Sequence, residues 1–116
     1  MQQCRALNAL SALANEHRLE AVRLMVPRGP DGLTAGEIGA ALELSASRLS
    51  FHLNALEAAG LIESERKGRN ICYRVSYGTL RDLMGYLLTD CCGAHPEICS
   101  SLMACDDGPP PGAPRG

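Results

Sequence analysis

Apolar positions fall at helical spacing through most of the chain and switch once to two-residue alternation. Between residues 4 and 14, Leu7, Leu10, Leu13 and Ala14 share one face, which predicts a short packing helix. Asn15 is placed to cap a second helix running through Val26, with Leu19, Val22, Met25 and Val26 turned inward and Glu16, Arg18 and Arg23 in water. Pro27 ends that helix, and residues 27–32, PRGPDG, form a loop of turn-favouring residues. Thr34 can cap the next helix, and Glu37 can complete a capping box before Ile38, Ala41 and Leu42 take up the period. Glu43 and Leu44 close it. Ser45 then caps a helix from Ala46 to Ala58 whose apolar stripe is Leu49, Leu53 and Leu56. Gly60 supplies the stop, Leu61 and Ile62 begin a strand, residues 65–70 make a polar turn, and Ile71–Val75 alternates sides as a return strand. A last helix spans Ser76–Thr89, with Leu80, Leu83, Met84, Leu87 and Leu88 on one stripe and Arg81 and Asp82 opposite.

Two short helices followed by a hairpin predict a fold that is mainly α with a β-hairpin, a winged helix-turn-helix. The first turns of the Ala46–Ala58 helix carry Ala46, Ser47, Arg48, Ser50, Phe51 and His52. Small and polar side chains with one Arg suit a major groove, which such a helix reads with its N-terminal residues, better than they suit a core. His52 is assigned there a phosphate or base-edge contact, and His17 a place in a helix's first turns. Arg66, Lys67, Arg69 and Arg74 form the densest basic cluster, placed where a hairpin tip meets sugar-phosphate backbone.

Composition favours duplex DNA over single strands as a nucleic-acid partner. Eleven Lys and Arg against thirteen Asp and Glu leave a net charge of −2, so affinity for nucleic acid must come from local clustering. With no Trp, one Phe and three Tyr, the chain lacks the stacking platforms of a single-strand binder. No phosphate loop, nucleophile arrangement or paired carboxylates suggest an enzyme. A winged helix that binds protein rather than DNA stays open at this stage. The length of 116 residues fits one domain, residues 1–105, followed by a Pro/Gly-rich tail at 106–116 expected to be disordered. The stripe of the last helix either completes the core or forms the seam of a homodimer. The opening Met1–Cys4 has no signal-peptide character and no apolar run is long enough for a bilayer, so a cytoplasmic protein without membrane contact is expected.

Residues Leu13–Leu19, Leu44–Leu53, Leu56 with Ala59–Ile62, and Gly68–Arg69 with Tyr73–Arg74 together resemble the ArsR/SmtB family of metal- and metalloid-sensing repressors. The resemblance implies a dimer that holds an operator shut and releases it when an inducer binds. It also shows a departure. The Cys-x-Cys that the best-known arsenic sensors carry in the first helix of the motif is replaced by Thr34 and Gly36, and residues 77–90 hold no His for the zinc sensors' inter-subunit site. Cysteines stand instead at the end of the last helix, in Cys91-Cys92-Gly93-Ala94-His95-Pro96-Glu97-Ile98-Cys99, similar to arsenic-responsive members with a C-terminal Cys-Cys pair and a third Cys.

Six cysteines in a reducing compartment read first as thiols for metal, metalloid or redox chemistry. Adjacent residues of a regular helix point about 100° apart, so Cys91 and Cys92 converge on one ion only where the helix unwinds. Gly93 and Pro96 supply that break and allow Cys99 to return toward the pair. Three soft sulfurs match trigonal As(III) or Sb(III). Adding His95 gives a Cys₃His set suited to Zn²⁺, and an oxidisable thiol pair is a third reading. Cys72 is expected to be a packed small side chain, and Cys4 and Cys105 bystanders.

Overall fold

The computed structural model describes residues 1–102. Cys105 and the tail at 106–116 lie outside the described residues. Helix α1 (Gln3–Leu13) is followed by α2 (Glu16–Met25), a 3-10 turn at Val26–Asp31, the short strand β1 (Leu33–Thr34), α3 (Ala35–Leu42) and α4 (Ala46–Ala58). Strands β2 (Ile62–Lys67) and β3 (Asn70–Val75) form the hairpin, and α5 (Tyr77–Gly85) continues through a π-helical turn at Tyr86–Cys91 before a last helix, α6 (Pro96–Leu102).

Side-chain caps set most helix starts. The Asn15 side chain accepts from the backbone N–H groups of His17 and Arg18, and that of Ser45 from Arg48. Thr34 and Glu37 form the full capping box, each side chain accepting from the other residue's N–H at 3.1 and 2.8 Å. Ser76 caps α5 through Thr79 N–H. The turn between α3 and α4 puts Glu43 in the left-handed region at φ 56°, and the Leu44 N–H reaches back to the Gly39 carbonyl. Gly39 also lets α4 come close, since a Cβ there would stand 3.2 Å from Leu49 Cδ2.

The sheet has the order β1-β3-β2, all antiparallel, with Leu33 opposite Tyr73 and Ile62 opposite Val75. Strand β1 is too short to leave a sequence pattern. Its approach depends on Gly32, at φ +66°, where a Cβ would stand 2.2 Å from the Tyr73 carbonyl oxygen. The hairpin loop is only Gly68-Arg69, because Lys67 pairs with Asn70. Positive φ at Gly68 alone is the pattern of a type II′ turn, whose twist suits the flanking strands. The polar turn predicted over residues 65–70 is therefore mostly strand.

Met25, Ile38, Leu53, Leu56, Leu61 and Ile62 are the largest fully buried side chains and join α2, α3, α4 and the start of β2. Leu53→Ala should remove about 2–5 kcal/mol of stability in chemical denaturation. Helix α1 packs differently from the expectation. Its buried residues are Ala6, Ala9 and Ala12, while Leu7 is 55% exposed and Leu10 is 37% exposed. Alanines let the helix backbone sit close to the core, and the leucine face is left outward. Leu19 and Val26, expected inward on α2, are also exposed. On α5 only Leu83 is buried. Met84 is exposed, and Leu80, Leu87 and Leu88 are half-buried. No helix among the described residues is long and apolar enough to cross a membrane.

Candidate functional site

The N-terminal half of α4 is presented to solvent. Ala46, Ser47, Arg48, Ser50 and Phe51 are exposed, while Leu49, Leu53 and Leu56 anchor the opposite side. The outward face thus carries one guanidinium, two hydroxyls, a methyl and an aromatic ring, a set able to meet both polar base edges and a thymine methyl. In the wing, Arg69 stands at the hairpin tip with Arg66 and Lys67 exposed beside it on β2. Among the described residues no carboxylate pairs with these three. Arg74 is different, because its Nε and Nη1 lie 3.3 and 3.1 Å from Glu63 and Glu65 across the hairpin. It braces the wing rather than extending its basic tip. Arg48→Ala should change the preference among operator variants. Arg69→Ala should weaken binding to all of them and lower the salt slope by about one unit, both read by titration at several salt concentrations.

His52 does not belong to this outward face. It is 7% exposed, and its Nδ1 accepts a hydrogen bond from Arg18 Nε at 3.2 Å, with the His17 ring 5.4 Å away. A side chain turned into the α2–α4 junction cannot also reach a phosphate or base edge, so the contact expected of it is withdrawn. Burial first, then the neighbouring Arg18, His17 and Arg48, hold its pKa below the ordinary imidazole value. The consequence has a definite sign. Above about pH 6.5 His52 is neutral both folded and unfolded. Below that the unfolded chain takes the proton first, so stability falls until the pH passes the lowered folded-state pKa. Thermal unfolding of the wild type should therefore lose midpoint on acidification, and His52→Gln should lose less.

The second cluster lies beyond α5. The helix leaves α geometry in the π turn, Cys92 ends it, and Gly93 and Ala94 take left-handed φ values of 59° and 53°. The Gly93 and Ala94 N–H groups bond the Thr89 and Leu88 carbonyls, and the His95 N–H closes onto Cys92. Pro96, expected to forbid continuation of the preceding helix, stands past its end and starts α6 at the position where a missing N–H costs nothing. The reversal returns Cys99 toward the pair. The Cys92 thiol pKa is pushed up first by a hydrogen bond with Cys91, then by burial, then by the charges of Cys91 and Cys99. Cys91 is exposed, and Cys92 and Cys99 are partly so. Even so, among the described residues no three His, Cys, Asp or Glu side chains are already grouped to hold a metal ion. Cys4 stands exposed on α1 and Cys72 is half-buried in β3, opposite Thr34 and Glu65. Thr34 is committed to the capping box and Gly36 is exposed in the first turn of α3.

The family described as a helix-turn-helix domain matches residues 13–65. The transcriptional activator HlyU of Vibrio cholerae serotype O1 is 31% identical over 91 residues, covering 78% of this chain and 82% of HlyU. The transcriptional repressor SdpR of Bacillus subtilis is 32% identical over 81 residues, covering 70% of this chain and 87% of SdpR. Among solved structures, an ArsR-like regulator from Rhodococcus sp. RHA1 shares the fold over 90% of this chain and 96% of that one, with TM-score 0.69 and 24% identity. The homodimeric winged helix-turn-helix domain of Mb0332 from Mycobacterium bovis, a possible ArsR-family transcriptional regulator, matches at TM-score 0.61 and 25% identity, covering 74% and 78%. The chain belongs to the ArsR family of winged helix-turn-helix transcription regulators.

ArsR-family membership makes this chain a DNA-binding regulator and not an enzyme. It also divides the molecule. The domain match ends at Glu65 in β2, so α2, α3 and α4 fall inside it while the wing tip, α5 and the cysteine turn do not. The similarity to HlyU, over 91 residues, is longer than the domain match. Arg18, missed by the sequence as anything but a wet surface residue, proves to bridge α2 to α4. A cation four residues from Val22 on a helix carries no pattern that marks such a cross-helix role.

Proposed function

We propose that this ArsR-family protein is a homodimeric repressor that holds a double-stranded DNA operator and lets go when As(III) or Sb(III) binds the thiolates of Cys91, Cys92 and Cys99. The observation that carries the proposal is the turn at Cys92–His95, where left-handed Gly93 and Ala94 break the chain between the Cys91–Cys92 pair and the helix α6 that bears Cys99. Three soft sulfurs with no carboxylate among them fit a trigonal, lone-pair-bearing centre. Among the described residues the thiols are not already grouped, so binding the metalloid draws α6 against the end of the π turn. Dimerisation is supported by the outward leucines of α1, by Met84 on α5 and by the homodimeric Mb0332 domain. The repressor sense has its parallel in SdpR.

Zinc held by Cys91, Cys92, His95 and Cys99 is the second reading, favoured by the place of His95 in the same turn. Its Nδ1, however, already accepts the Glu97 N–H at 3.2 Å as a cap of α6, leaving Nε2 for a metal. Thiol-redox sensing has less support, since reactive cysteines have lowered pKa values and that of Cys92 is raised. X-ray absorption at the arsenic edge tests the site. Reduced protein should hold one As(III) per protomer with three sulfur neighbours, and Cys99→Ser should leave two. A nitrogen neighbour, or three sulfurs retained in Cys99→Ser, would overturn the assignment. Zinc retention lost in His95→Ala would favour the second reading.

A further inference from the structure

Phe51 is 64% exposed, and its surroundings differ from those of the other outward apolar residues. Leu7, Leu10 and Met84 lie on α1 and α5, whereas Phe51 stands among Ser47 and Arg48 on the outward face of α4. Phe51 stands four residues after Ser47 and three after Arg48 on one helix, so it is a surface neighbour of both. With the small exposed part of the buried His52 they line a shallow cleft of about 360 Å³.

The ring is also held from behind. The Arg18 guanidinium carbon lies 5.5 Å from the Phe51 ring centroid, a cation–π distance, while Arg18 Nε donates to His52 Nδ1 at 3.2 Å. The His52 ring meets Phe51 edge-on at 5.4 Å and 68°. An exposed phenylalanine would ordinarily sample several rotamers. Here a guanidinium hydrogen-bonded to a buried imidazole, and the imidazole itself, both pack against the ring.

We propose that Phe51 is a specificity-determining residue that packs on the 5-methyl group of a thymine in the operator's major groove, with Arg18 as its positioning residue. This inference rests on the docking of α4 in the groove. Thymine alone presents a methyl group there, so an apolar ring discriminates it by excluding water from that group. Arg48, three residues earlier on the same face, is suited to a guanine O6 and N7, so the half-site should carry a guanine near that thymine.

The experiment starts from duplexes selected by the wild-type protein from a random pool. Each thymine of the half-site is then replaced singly by deoxyuridine, which removes only the methyl group. One replacement should weaken wild-type binding about fourfold, equivalent to the ~0.8 kcal/mol of one buried apolar carbon. Phe51→Ala, assayed at lowered salt so that backbone contacts keep it on DNA, should bind the thymine and deoxyuridine duplexes equally. Arg18→Ala should reduce the ratio without abolishing binding, a change that mere loss of stability would not produce in folded protein. If every thymine is replaceable without loss, or if Phe51→Ala keeps the methyl penalty, the inference is wrong. An unchanged ratio in Arg18→Ala removes the positioning role. Selection of no duplex by the wild type overturns the docking of α4 itself and is distinguishable from both.

Discussion

Leu7→Glu combined with Leu10→Glu should convert the protein into a folded monomer whose operator affinity falls by about 10²-fold or more. The fold should survive because α1 reaches the core through Ala6, Ala9 and Ala12, on the other side of the helix. Two carboxylates on the leucine face would instead meet their symmetry mates across a two-fold interface, where like charges and buried apolar neighbours both oppose association. Loss of the second half-site contact removes the avidity that makes two modest recognition helices one tight binder. Light scattering gives the mass, circular dichroism the retained helix, and anisotropy the affinity. A dimer that persists with unchanged affinity would place the seam elsewhere.

Cys99→Ser should bind operator as well as the wild type and fail to release it on As(III) addition. Allosteric coupling of about 1–3 kcal/mol corresponds to a change in affinity of roughly 5- to 150-fold, and the variant should lose all of it. An inducer shifts a conformational equilibrium only by its differential affinity for the two states. The route lies in the order of elements. Cys91 and Cys92 end the π turn that continues α5, and Cys99 lies on α6, so a three-sulfur bridge couples α6 to the helix whose Met84 face is outward. Cys91→Ser and Cys92→Ser should behave alike, whereas Cys4→Ser and Cys72→Ser should respond as the wild type does.

The parts of this fold that sequence exposes are those governed by local chemistry. Asn15, Thr34 with Glu37, Ser45 and Ser76 each satisfy a helix start with their own side chain, so the boundaries they set needed no tertiary knowledge. The exposed first turns of α4 were legible for the same reason, since a helix with leucines on one side and serines and an arginine on the other has only one way to face. What escaped depends on partners distant in the chain. On α1 both faces are apolar, and hydrophobicity alone names the leucines as core when close approach selects the alanines. His52 and Arg74 carry the same charge or polarity wherever they point. Only the α2–α4 junction and the strand register show that Arg18 holds the first and that Glu63 and Glu65 hold the second. The cysteine turn was half legible: Gly93 and Pro96 announce the break, but the π turn before it and the left-handed Ala94 do not follow from residue type.

The central claim is that As(III) at the cysteine turn weakens DNA binding, and a fluorescence anisotropy titration of the fully reduced protein on its selected operator tests it most directly. With As(III) present at one equivalent per protomer, the apparent Kd should rise by roughly 5- to 150-fold, while Zn²⁺ under the same conditions should leave it unchanged. An operator affinity indifferent to As(III), with the metalloid shown to be bound, would contradict the account.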